Sequence, residues 1–265
     1  VLLLATVPNL SLKNSPPTGI IIPVRHLITR EDTTMKIIYE FLFESGRTER
    51  FELSFRDKDM SLDPLPVDNP EQWIRLEHER CAECPLDPAT KYCPAARNLA
   101  HILQRFRDDH SYCPATIRVT ANDRTIEKKG ALEAGVTSIM GLIMATSGCP
   151  ILDYFRPMAF THLPFANETE TILRAVSMYL MAQYMKKTKG ETPDWDLRNL
   201  GKFYATISKV NAAFSQRIRG MKGSDANVTA VISLDLFAQF GVMTLPDGWS
   251  DQIGELFGAY FEGRK

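Results

Sequence analysis

The sequence predicts an α+β protein in which a small antiparallel sheet and a cysteine-rich loop precede a mostly helical bundle. Three observations predict it. Two hairpin signatures lie before residue 131, helical periodicity dominates after it, and three of the five cysteines fall between residues 81 and 93.

Taken in order, Met35–Phe43 and Arg50–Phe55 are β-like runs, and the turn residues Glu44-Ser45-Gly46-Arg47 join them as a hairpin. Residues 57–70 carry Pro64, Pro66 and Pro70 and read as a loop. Trp73–Cys93 reads as partly helical and then cysteine-rich. Asn98–Arg107 places Leu99, Ile102, Leu103 and Phe106 on one helical face. Ala115–Thr120 and Thr125–Lys129 form a second hairpin across Asn122-Asp123, giving one four-stranded sheet. Beyond Ala131 the pattern is helical. Glu168–Lys189 has Asn167 and Glu170 as a capping box and Gly190 as its stop. Its middle is apolar almost all round, which predicts a central, buried helix. In Asp196–Arg219 the positions Leu197, Leu200, Tyr204, Ile207, Asn211, Phe214 and Ile218 form a seam. Asn211, its one polar member, is expected to be a buried, hydrogen-bonded pin of helix register. Asp225–Phe240 and Gln252–Phe261 complete the helices. Asp194, Asp196, Asp225 and Asp235 read as caps and surface charges.

The chain has 265 residues, 44% of them hydrophobic and 24% charged, with a formal net charge of −1, so nothing in its charge argues for nucleic acid or an acidic membrane as partner. No apolar run is long enough to cross a bilayer, and Ile139–Ala145 reads as a buried helix. Met35 reads as the natural start and residues 1–34 as a disordered or non-native extension, leaving 35–265 as one domain. Its sheet and cysteine-rich part is 35–130 and its helical part 131–265. Five cysteines, an odd number, with no export signal fit a cytoplasmic protein whose thiols bind metal or react, not a disulfide framework.

The strongest chemical signal is Cys81-x-x-Cys84-Pro85 followed by Cys93-Pro94. Two thiolates two residues apart can grip one ion from a single turn, and Cys93 is close enough to add a third ligand. The fourth comes from elsewhere: Cys149, Cys113, His78, His101 and His110 are the candidates. Proline suits the first position of a helix, so Cys93-Pro94 and Cys149-Pro150 each read as a helix start, where the dipole favours thiolate. Zinc and an iron–sulfur cluster both suit such a set. The competing reading is reduced thiols packed as small hydrophobes, with Cys113 the clearest spare. A further reading makes Cys149 a nucleophile with His162 as its base. Against it, Arg156 and His162 serve only to cap or pair within a proline-rich helical junction. A third function is a helical interaction scaffold that binds another protein or a second copy of the chain. Walker A, G-x-G-x-x-G, H-E-x-x-H and G-x-S-x-G patterns are absent, which argues against the commonest nucleotide-binding and hydrolase classes.

The ordered set Cys-x-x-Cys-Pro-Leu (81–86), Tyr-Cys-Pro-x-Ala (92–96), Gly-Leu-Ile-Met-Ala-Thr-Ser-Gly-Cys-Pro (141–150), Arg-Pro-Met-Ala (156–159) and His-Leu-Pro-Phe (162–165) resembles a family of uncharacterised bacterial proteins. Ser-Met-Tyr-Leu-x-Ala-Gln-Tyr (177–184) and Val-Asn (210–211) match it too. The resemblance spans about residues 35–240. It implies a cytoplasmic bacterial domain of unknown function in which Cys81, Cys84, Cys93 and Cys149 belong together. Cys113 stands outside that pattern.

Overall fold

A computed structural model describes residues 34–56, 58–67, 70–219, 221, 225–244 and 253–261, with the side chains of 240–244 left aside. Of the extension predicted over 1–34, only Thr34 falls among them.

Alternation builds the sheet. In β1 (Thr34–Phe43) Met35, Ile37, Tyr39 and Phe41 point inward, and in β2 (Thr48–Arg56) Phe51, Leu53 and Phe55 do the same. Gly46, at a positive φ of 86°, makes the turn between them. After α1 (Pro94–Arg105) come β3 (Pro114–Ala121) and β4 (Arg124–Ala131). The strand order is β2-β1-β3-β4, antiparallel throughout, with Tyr39 opposite Phe51 on one side and Val119 on the other. The edge strand β4 is exposed along its whole length and carries Arg124, Glu127, Lys128 and Lys129, charges that discourage further strand pairing.

One face of the sheet is covered by helices. Phe106, just past α1, packs its ring on Phe41 and Phe51. The helix α2 (Leu132–Thr146) approaches so closely at Gly135 that a Cβ there would lie 2.4 Å from the Phe41 ring. Outside α2 lie α3 (Arg156–Phe160), α4 (Glu168–Thr188), α5 (Arg198–Arg219) and α6 (Asp225–Thr244), with α6 packed on α2 and α5 on α6. The region predicted as the last helix is a 3-10 turn (Glu255–Phe257) and the single turn α7 (Gly258–Phe261). Of its predicted apolar face Ile253 is buried, whereas Leu256, Tyr260 and Phe261 are exposed.

The structure is α+β, as the hairpins and helical periods predict. The α4 cap is the predicted capping box: Asn167 accepts from the Glu170 amide and Glu170 from the Asn167 amide. Its burial is not as predicted. Ala175, Val176, Tyr179 and Gln183 are buried, whereas Met181, Tyr184 and Met185 are exposed. Only one face of α4 meets α3 and α6, and an apolar composition on every face does not say which one is covered. Among the described residues no helix is long and apolar enough to cross a membrane.

Candidate functional site

The cysteine-bearing loop is closed at its base by main-chain bonds. Arg75 and Tyr92 pair as an isolated bridge, the Leu76 amide donates to the Lys91 carbonyl at 3.1 Å, and the Cys93 amide donates to the Ile74 carbonyl at 3.0 Å. Inside the loop the Cys84 amide donates to the Cys81 carbonyl at 3.1 Å, the tight turn that Cys-x-x-Cys needs. Arg80 holds that turn by donating to the carbonyls of Cys84 at 3.2 Å and Leu86 at 2.6 Å. Cys93 then caps α1, with Pro94 in its first turn, as predicted. Cys149 comes from the far end of α2, beyond Gly148 at a φ of 86°. Buried Asn98 of α1 ties these segments together: it accepts from the Leu65 amide at 3.2 Å and donates to the Ser147 carbonyl at 3.4 Å.

All five cysteines are free thiols. Burial pushes the Cys81 thiol up to about 11, and the like charge that Cys93, Cys149 and Cys84 would carry adds to the effect, while Arg217 opposes it. Cys149 is raised too, first by burial; the amides of Leu152 and Ile151, which donate to its sulfur, pull the other way, and Cys93 and Cys84 push it up. The loop cysteines and Cys149 are therefore near enough for Cys81 and Cys149 each to feel the charge of the others. Among the described residues, however, no group of three or more His, Cys, Asp or Glu is placed so that it could hold a metal ion as it stands.

The expectation that a helix start favours thiolate is corrected at Cys149, which leads into a 3-10 turn (Leu152–Phe155) and where burial outweighs the amides at the sulfur.

Helix α5 grips the loop at two points on one face. Arg217, 2% exposed, donates from Nη1 to the carbonyls of Trp73 and Arg75, both at 2.5 Å, and from Nη2 to Glu79 at 3.3 Å and Leu76 at 3.5 Å. Two turns earlier, Lys209 bonds Glu83, between Cys81 and Cys84. Arg217 has no carboxylate partner among the described residues, so its charge rests on four carbonyls and reaches Cys81.

His162 lies elsewhere. Its Nε2 is 2.6 Å from the Tyr39 hydroxyl, which is 2.7 Å from the Ser138 hydroxyl. Burial, and then the nearby charge of Arg174, push His162 down to about 4, so the ring is neutral at pH 7. Burial raises the Tyr39 phenol well above its ordinary value. The pairing of His162 with Cys149 is not formed: the imidazole is bonded to the sheet, and the groups acting on Cys149 are amides and other thiols. Beside His162, a cavity of about 360 Å³ opens between α2, α3, α5 and α6, walled by apolar side chains such as Leu142, Met144, Phe155 and Met158.

The profile of a family described as a domain of unknown function (DUF6901) matches residues 37–260. The chain belongs to the DUF6901 family. No curated protein and no solved structure matches it. The matched span of this DUF6901 chain contains every cysteine and the whole lining of the cavity.

Other candidates in the DUF6901 fold have structural roles. His101 sets its ring edge-on to Phe51, and His110 stacks on Tyr112 with Asp225 at 3.9 Å. Cys113 opens β3, where its carbonyl accepts from Leu132. His78 belongs to the cysteine loop, its amide donating to Arg75. Arg156 pairs with Asp153 at 2.6 Å, the junction role expected of it. Asp194 accepts from the Asn199 amide and the Tyr179 hydroxyl, Asp225 from the Ser111 amide, and Asp235 from Ser208. Sequence reasoning missed Arg217, which reads as an ordinary last-turn cation, and Tyr39, which reads as one more inward strand aromatic.

Proposed function

We propose that this DUF6901 chain binds a thiophilic metal centre, a zinc ion or an iron–sulfur cluster, through Cys81, Cys84, Cys93 and Cys149, in a structural or redox-sensing role. The reading rests on one observation: Cys81 lies within reach of the charge of Cys84, Cys93 and Cys149, and Cys149 within reach of Cys84 and Cys93, although Cys149 comes from the far end of α2. Two features support it. A centre held by four thiolates is anionic, and Arg217 is a buried cation without a carboxylate among the described residues, positioned to offset that charge. The Ile151 and Leu152 amides already donate to the Cys149 sulfur, the kind of outer bond that orients a metal-bound thiolate. Five free thiols fit a reducing compartment, so we place the protein in the cytoplasm.

Anaerobic purification with metal analysis and a visible spectrum tests the proposal. One zinc per chain without colour supports a zinc site; brown protein with iron and labile sulfide supports a cluster. In either case Cys93→Ser and Cys149→Ser should each lower metal content, and Cys113→Ser should leave it unchanged. A chain that is metal-free as purified and takes up neither zinc nor iron with sulfide on reconstitution overturns the proposal.

A further inference from the structure

The cavity beside His162 contains polar groups that the fold leaves without partners. Asn211, 3% exposed, lines it, and its side-chain amide makes no hydrogen bond among the described residues. The buried Thr137 hydroxyl, also in the lining, has no partner either. A buried hydroxyl without a partner is destabilising, and with the Asn211 amide beside it the open space offers polar contacts that the fold itself does not use. The volume, about 360 Å³, is at the small end of the roughly 300–1,000 Å³ of small-molecule sites.

The charges in the lining say what the occupant carries. Glu133 is the acid there, and it is bonded to Ser233. Two cations face the same space. Lys128 has no carboxylate partner among the described residues and lies over the Phe165 ring at 5.6 Å. Arg174 donates to the carbonyls of Met158 at 2.7 Å and Thr161 at 2.9 Å and makes no ion pair among the described residues. Both stand beside the segment that follows α3, Lys128 at Phe165 and Arg174 at Thr161. The neutral His162 ring lines the cavity too, with its Nε2 engaged by Tyr39. Most of the remaining wall is apolar.

We infer that this cavity binds an apolar monocarboxylic acid, its hydrocarbon body among Met144, Leu152, Phe155 and Met158 and its carboxylate at Arg174 and Lys128. The inference does not depend on the metal proposal, since no cysteine lines the cavity.

Titration of the full chain with decanoate and, separately, with decanol tests it, followed by the methyl resonances of isotope-labelled methionines. Decanoate should bind about tenfold or more tightly than decanol, the effect of one well-placed charge contact. It should shift the methyls of Met144 and Met158 and leave exposed Met181 and Met185 in place. Arg174→Gln should abolish the preference for decanoate. Because Arg174 also secures two carbonyls, Lys128→Gln on the exposed edge strand is the second variant, with a smaller loss of the same preference. Three results overturn the inference: no binding of either probe, equal binding of both, or shifts confined to Met181 and Met185, which would mean surfactant adhesion to α4.

Discussion

Helix α5 buries two polar side chains less than two turns apart, and they are treated in opposite ways. Arg217 reaches four carbonyls of the cysteine loop, whereas the Asn211 amide has no hydrogen-bond partner among the described residues and faces a cavity. Both are as buried as core residues. What separates them is satisfaction. A buried donor whose bonds are all made within the protein is part of the scaffold; one left unmatched beside open space points to something outside the chain.

This contrast can be broken most directly at Arg217. Arg217→Met leaves the carbonyls of Trp73, Arg75, Leu76 and Glu79 without their donor and should lower stability by about 3–5 kcal/mol. Urea denaturation measures it. A loss below about 1 kcal/mol would show that water replaces the guanidinium without penalty, and the loop would not depend on it.

The second test asks whether the buried His162 ring is neutral. His162 has its pKa held near 4 in the fold against 6.5 when unperturbed. The unfolded chain therefore takes up a proton between those values while the folded chain does not. Its contribution to stability is fully present above about pH 6.5 and falls as the pH drops toward 4, by at most about 3 kcal/mol. Denaturation between pH 7.5 and 4 should show this slope, and His162→Gln should flatten it. A variant with an unchanged slope would assign the effect to other groups.

The smallest effect sharpens the contrast from the other side. Asn211→Leu removes an amide with no partner and should raise stability by about 1 kcal/mol, read as a higher midpoint in thermal unfolding. A fall of similar size would mean that Asn211 is a register pin after all, as the seam pattern suggested.

The same contrast explains what was legible in the sequence. Inward strand residues such as Ile37 and Leu53 were legible because strand alternation is a local rule, and the Asn167–Glu170 cap because it spans one helical turn. The expectation that Cys149 belongs with the loop cysteines came from family motifs, not from spacing, since no local rule connects α2 to residues 81–93. Arg217 and Asn211 were not legible in their roles. A helical seam shows that a side chain points inward, and nothing about whether a partner waits there. The exposure of Met181 and Met185 failed for a related reason, because apolar content does not say which neighbour a helix will find.

Gly135 links the two regions. At that point α2 lies against Phe41 and Ile117 with no room for a methyl group. The same fifteen-residue rod supplies Thr137 and Ser138 to the cavity and runs on to the turn that delivers Cys149. A lever pressed hard against its fulcrum cannot tilt at one end alone, so whatever lifts α2 from the sheet disturbs the thiol neighbourhood and the acid-sized chamber together.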